Sequence, residues 1–137
     1  MVRITRAIDF SASLRYWRPD LSERENRELF GHCAAQHGHD YRLEVTLRGE
    51  PDPETGMLLD LKQLGEILER EITLRFDHRD LNSDTPYFEK APPTPENFAR
   101  VIRRILLAAL PAGMLDRVRL RPDAELWVDL VEPAGDA

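Results

Sequence analysis

The chain has 137 residues, 42% hydrophobic and 32% charged, which suffices for one buried core and leaves no room for a second. Its formal net charge of −6 opposes a broad electrostatic attraction to nucleic acid or to an anionic membrane surface. The single cysteine, Cys33, has no internal disulfide partner, the N-terminus has no signal-peptide core, and no apolar run approaches the ~18 residues of a membrane span, so the expectation is a cytoplasmic, soluble protein.

In chain order, Val2, Ile4, Ile8, Phe10, Ala12 and Leu14 place apolar residues at even positions, the period of a long strand. Residues 15–32 are polar and turn-prone, with a charged stretch from Ser22 to Leu29 compatible with a helix. Tyr41, Leu43, Val45 and Leu47 then alternate with polar neighbours in a second strand that ends at Gly49, before a Pro- and Gly-rich connection. Asp60 followed by Gln63 has the spacing of a capping box, and Leu61, Leu64, Leu68 and Ile72 keep helical spacing over 60–73. The stretch 75–95 reads mostly as loop. Thr94 and Pro95 suit the cap and first turn of another helix, whose apolar face is Phe98, Val101, Ile102, Ile105 and Ala109. Two short strands close the chain, one carrying Val118 and Leu120, the other Leu126, Val128 and Leu130. Short connections between adjacent strands predict an α+β domain spanning 1–137, an antiparallel sheet with helices on one face.

The chemistry-bearing residues cluster between Gly31 and Tyr41, which hold His32, Cys33, His37 and His39. His37 and His39 are two apart at the head of a strand, so their imidazoles share a face and suit a metal, or they are surface histidines at a strand end. Cys33 is either a nucleophile or base, or a small buried hydrophobe. The adjacent Asp77 and His78 suit either an oriented acid–base imidazole or a turn cap. Glu96 in a first helical turn and Thr94 as its cap also have full structural explanations. Arg117, Arg119 and Arg121 share a strand face, fit to hold phosphate or to pair with acidic neighbours.

Taken in order, these segments resemble the 6-pyruvoyltetrahydropterin synthase family, which includes the 6-carboxytetrahydropterin synthases of queuosine biosynthesis. The resemblance is carried by Phe10-Ser11-Ala12-Ser13, by Leu29-Phe30-Gly31-His32-Cys33 running into His37-Gly38-His39-Asp40-Tyr41, and by Thr55-Gly56-Met57 with Asp60-Leu61. It continues through Asp77-His78 with Leu81-Asn82 and Pro93-Thr94-Pro95-Glu96-Asn97, and so spans residues 8 to 130. It implies the T-fold, a four-stranded antiparallel sheet with two helices on one face, whose subunits close into a barrel and form a homohexamer. It also implies a carbon–oxygen lyase acting on 7,8-dihydroneopterin triphosphate, in which triphosphate is lost and the side chain rearranges. By the same resemblance Cys33 is the base, Asp77 and His78 are a proton relay serving a neighbouring subunit, and His37 and His39 are zinc ligands. Thr94 and Glu96 help to shape the pterin pocket. The implied partner is a small pterin-type substrate, with no nucleic acid and no membrane.

Two positions depart from the family pattern. The first zinc-ligand histidine is Leu14 here, which leaves His37 and His39 with His32 or Cys33 as the only nearby candidates for a third ligand. The glutamate that grips the pterin ring is Pro122, with Asp123 one residue on, where a strand would turn it to the other face unless a bulge intervenes. The alternative function is therefore a diverged T-fold paralog with altered or no zinc. Such a paralog either runs different small-molecule chemistry or binds a ligand or an active partner without turnover.

Overall fold

The computed structural model describes residues 1–131. The strand predicted from the even-position pattern is β1 (Val2–Leu14), which pairs antiparallel along its whole length with β2 (His37–Gly49). Between them lies α1 (Glu23–Phe30), started by Ser22. The Ser22 hydroxyl accepts from the Glu25 N–H at 3.1 Å while the Glu25 carboxylate accepts from the Ser22 N–H at 3.0 Å, a complete capping box. α1 is followed at once by a 3-10 turn, Gly31–Ala34, entered through Gly31 at φ 59°.

The next helical stretch starts at α2 (Leu61–Leu68), widens into a π turn over Glu69–Thr73 and finishes in the short α3 (Leu74–Phe76). The Asp60 carboxylate caps it by accepting from the Lys62 N–H at 2.9 Å. The capping box expected with Gln63 is absent among the described residues: Gln63 gives no return bond, and the box sits at Ser22 instead. Inside the stretch expected to be loop, β3 (Arg79–Asp80) runs parallel to β1, opposite Ala12 and Ser13. α4 (Pro95–Ala109) has Thr94 as its cap and Pro95 at its first position, as expected. β4 (Leu115–Arg121) and β5 (Val128–Val131) complete the sheet in the order β3-β1-β2-β4-β5. The four expected antiparallel strands thus gain a two-residue parallel strand at one edge, and the sheet is mixed.

One face of this sheet is apolar because the alternation of its strands is in register. Phe10 lies opposite Tyr41, Ile8 opposite Leu43, and Val45 opposite Val118. Leu64, Leu68, Ile72 and Phe76 from one side and Phe98, Ile102 and Leu106 from α4 are fully buried against that face. Each such side chain contributes about 1.5–3 kcal/mol by leaving water. Four rings lock the middle of the core: Phe10 stacks on Tyr41 at 5.3 Å, Tyr41 meets Phe98 edge-on at 5.2 Å, and Phe98 meets Phe76 at 4.9 Å. The opposite face is polar. There Arg119 pairs with Asp129 at 2.7 Å and Arg121 with Glu44 at 2.8 Å, so these arginines are engaged with acidic neighbours.

Candidate active site

Along its core-facing side β2 reads His37, His39, Tyr41, Leu43, Val45 and Leu47. The last three are fully buried under the helices, whereas the two histidines lie where helical cover ends and stay partly open. Their rings meet edge-on at 5.2 Å, which bears out the shared face expected from their spacing. The His37 Nδ1 lies 2.8 Å from the Ala35 carbonyl, so Nδ1–H donates there and Nε2 is left to accept a proton or bind a ligand. Burial, reinforced by the His37 imidazole, lowers the His39 pKa, and the Asp123 carboxylate acts in the opposite direction. His39 is therefore held neutral at pH 7, a hydrogen-bonding group rather than a cation.

Beyond Leu14 the chain continues past the end of β1 and brings Tyr16 onto the same face. Three contacts fix this segment. The Asn82 side chain brackets Arg15, accepting from its N–H at 2.9 Å and donating to its carbonyl at 2.9 Å. The Tyr16 N–H donates to the Cys33 carbonyl at 2.7 Å. The fully buried Asn26 of α1 accepts from the Arg18 N–H at 2.7 Å and donates back to the Arg18 carbonyl at 2.9 Å. Thus held, the Tyr16 ring meets Phe30 at 6.0 Å and His37 at 5.9 Å, both edge-on. Burial first, then the electrostatic influence of nearby Cys33 and Glu96, pushes the Tyr16 phenol up to about 12. Cys33 itself is half-buried in the 3-10 turn, neither a core hydrophobe nor a free surface thiol. Glu96 is exposed at the start of α4, where the Thr94 hydroxyl accepts from the Asn97 N–H at 3.2 Å.

The Asp77–His78 pair occupies a different place. One Asp77 oxygen accepts from the Ser11 N–H at 2.9 Å, and the other faces His78 Nδ1 at 2.9 Å. The Ser11 bond first, and the His78 bond second, hold the Asp77 carboxyl below its usual range, so it is an ionised acceptor. His78 has φ 59°, the one positive value among the described non-glycine residues, and its side chain is 82% exposed. A left-handed residue bonded through its backbone N–H to the Ser11 carbonyl at 2.6 Å is a strained and tightly fixed presentation of an imidazole. His78 lines a cleft of about 450 Å³ with Ser11, Ser13, His39 and Asp40. Among the described residues no hydrogen bond, ion pair or ring contact joins Asp77 or His78 to Cys33.

Leu14 lies opposite His37 in the β1–β2 ladder and is 1% exposed, a core residue at the floor of the histidine row. A catalytic zinc takes three protein ligands and keeps a fourth position open. Among the described residues no three His, Cys, Asp or Glu side chains stand close enough to share a metal, and His32, exposed in the 3-10 turn, does not complete the pair. Among the described residues of the chain, those present do not fit a three-ligand zinc site. Pro122 is buried directly after the last residue of β4. Asp123 is exposed, and one of its oxygens is taken by the turn it opens, accepting from the Glu125 and Leu126 N–H groups at 2.8 and 2.9 Å. No bulge returns it to the β4 ladder, although its charge reaches His39.

Sequence reasoning located the histidines, Cys33, Asp77, His78 and Glu96, but it passed over Tyr16. The signal was available: Tyr16 follows Leu14 by two residues, so it continues the core-facing parity of β1 past the strand end.

Residues 3–132 match the family model described as 6-pyruvoyl tetrahydropterin synthase. A Homo sapiens protein named 6-pyruvoyl tetrahydrobiopterin synthase is 42% identical over 120 residues, covering 86% of this chain and 83% of its own length. A 6-carboxy-5,6,7,8-tetrahydropterin synthase of Rickettsia typhi is 31% identical over 81 residues, covering 57% of this chain and 49% of its own. The solved structure of Caenorhabditis elegans 6-pyruvoyl tetrahydropterin synthase superposes with a TM-score of 0.89 at 32% identity, covering 96% of each chain.

Proposed function

The chain belongs to the 6-pyruvoyl tetrahydropterin synthase family, and from that premise we propose that it is a pterin-synthase-type carbon–oxygen lyase acting on 7,8-dihydroneopterin triphosphate. The observation that carries this reading is the gathering of Cys33, Tyr16, His37 and His39 at the uncovered end of one sheet face. Cys33, as thiolate, takes a carbon-bound proton from the substrate side chain. The electron pair left behind expels the triphosphate, which departs with the bonding electrons of its C–O bond, and the resulting enol rearranges to a ketone. His37 Nε2 and neutral His39 hydrogen-bond the side-chain oxygens, and Thr94 and Glu96 border the ring. The low pKa of Asp77 keeps it an acceptor, so that it orients His78 as a proton carrier. Because His78 is exposed and has no contact with Cys33 in its own chain, the pair serves the site of a second copy. The working unit is a homohexamer whose sheets join into a barrel, each chain one T-fold domain of residues 1–137, in the cytoplasm.

The buried Leu14 and Pro122 favour a second reading, in which the same pocket holds a reduced pterin or a related small molecule without this elimination. One assay separates the two. The purified oligomer is incubated with 7,8-dihydroneopterin triphosphate and inorganic triphosphate is measured. The first reading expects release that falls about a thousandfold in Cys33→Ala. Wild-type protein that binds the substrate without releasing triphosphate, or a Cys33→Ala variant as active as the wild type, overturns it.

A further inference from the structure

Leu14 leaves the oxygens of a bound side chain without a third imidazole, and the residue two positions on supplies a different kind of group. Tyr16 closes a continuous row of edge-to-face rings, Tyr16–His37–His39–Tyr41, at 5.9, 5.2 and 5.5 Å. Its ring is partly buried against Phe30 and His37, and its backbone is pinned to Cys33. The hydroxyl itself is not enclosed and makes no hydrogen bond among the described residues, so it is open to a ligand, whereas Phe30 and His37 would pack equally well against a phenylalanine. The backbone bond to Cys33 and the ring contact with His37 keep Tyr16 beside both the candidate base and the histidine row. A phenol is uncharged at neutral pH, so it arrives as a donor with its proton in place.

We infer that the Tyr16 hydroxyl donates a hydrogen bond to a side-chain oxygen of the bound reduced pterin, and so determines specificity for ligands that carry that side chain. This rests on the pterin reading above and adds to it a residue that holds the substituent rather than the ring. Tyr16 touches Cys33 through its backbone and His37 through its ring, so its donor belongs to the segment bordering both, where an oxygen next to the carbon that loses its proton is to be held. As a neutral donor it orients that oxygen and stabilises negative charge that develops on it.

The test compares two probes on the intact protein, 7,8-dihydroneopterin, which carries the hydroxylated side chain, and 7,8-dihydropterin, which lacks it. Affinities are read from ligand fluorescence for the wild type and for Tyr16→Phe, with melting temperatures alongside. The expected result is that Tyr16→Phe weakens dihydroneopterin binding about tenfold, the worth of one hydrogen bond, while dihydropterin binding and melting temperature stay unchanged. If both probes weaken equally, Tyr16 only packs the pocket and the inference fails. Unchanged affinity for both probes also overturns it, with the pterin reading intact. A wild type that binds neither probe sinks the pterin reading itself, and the inference with it.

Discussion

The apolar face of the sheet is one pattern with two fates. At one end Leu43, Val45 and Leu47 on β2 lie under Leu64, Leu68, Ile102 and Leu106, dry and fully buried. At the other end the same alternation continues as His39 and His37, but helical cover has ended and the rings are partly open. Period-2 geometry aims side chains identically at both ends. Stability therefore concentrates where helices cover the face, and the candidate site lies where they do not. The four-ring cluster of Phe10, Tyr41, Phe76 and Phe98 is the boundary, since Tyr41 touches Phe98 on one side and His39 on the other.

The contrast can be broken first at that boundary. Phe98→Ala removes a fully buried ring that meets Phe10, Tyr41, Phe76 and Phe88, and its expected cost is about 3–5 kcal/mol of unfolding free energy. Urea denaturation measures this, and a loss under 1 kcal/mol would mean the covered end does not carry the stability.

The next largest effect sharpens the open end. Leu14→His puts a third imidazole opposite His37, and one ligand's share of a zinc site is worth a few kcal/mol, so zinc affinity should rise about a hundredfold over the wild type. Competition with a chromophoric chelator reads this directly. Wild-type protein that already binds one zinc per chain as tightly as the variant would show that the two-histidine row is completed from elsewhere.

The smallest effect is a pH dependence. His39 has its folded pKa lowered by burial, so as pH drops below about 6.5 the unfolded chain takes up a proton that the folded chain resists, and stability falls. That loss runs from the unfolded value down to the folded one, and His39→Gln should flatten it. Asp77 acts in a separate, more acidic window. Its folded pKa is also lowered, so its stabilisation is present above about 3.9 and disappears as pH falls through the folded value. Melting curves between pH 7 and 5 that coincide for wild type and His39→Gln would remove the first claim.

How much of this was legible without a structure follows from how far each feature reaches along the chain. The strand of even-numbered apolar residues, the shared face of His37 and His39, and the Thr94–Pro95 helix start each depend on neighbours a few residues apart, and all appear as read. The family-derived positions of Cys33, Asp77 and His78 were legible as motifs, but motifs did not say that no hydrogen bond or ion pair among the described residues joins the pair to Cys33. The capping box was misplaced because Asp-x-x-Gln and Ser-x-x-Glu are both admissible spacings, and only rotamers at the two helix starts decide which closes.

The sequence by itself determined the elements, their faces and the two altered positions, because side-chain direction in strands and helices is a local property of backbone periodicity. Only the tertiary structure decided that Tyr16 is pinned to Cys33 and set against His37, that Arg79–Asp80 adds a parallel edge strand, and that Asp123 spends an oxygen on its own turn. Those outcomes depend on Asn26 and, from 67 residues along the chain, Asn82 pinning irregular backbone, and on where helical cover stops. No periodicity encodes contacts of that kind, which form only once the distant segments have packed.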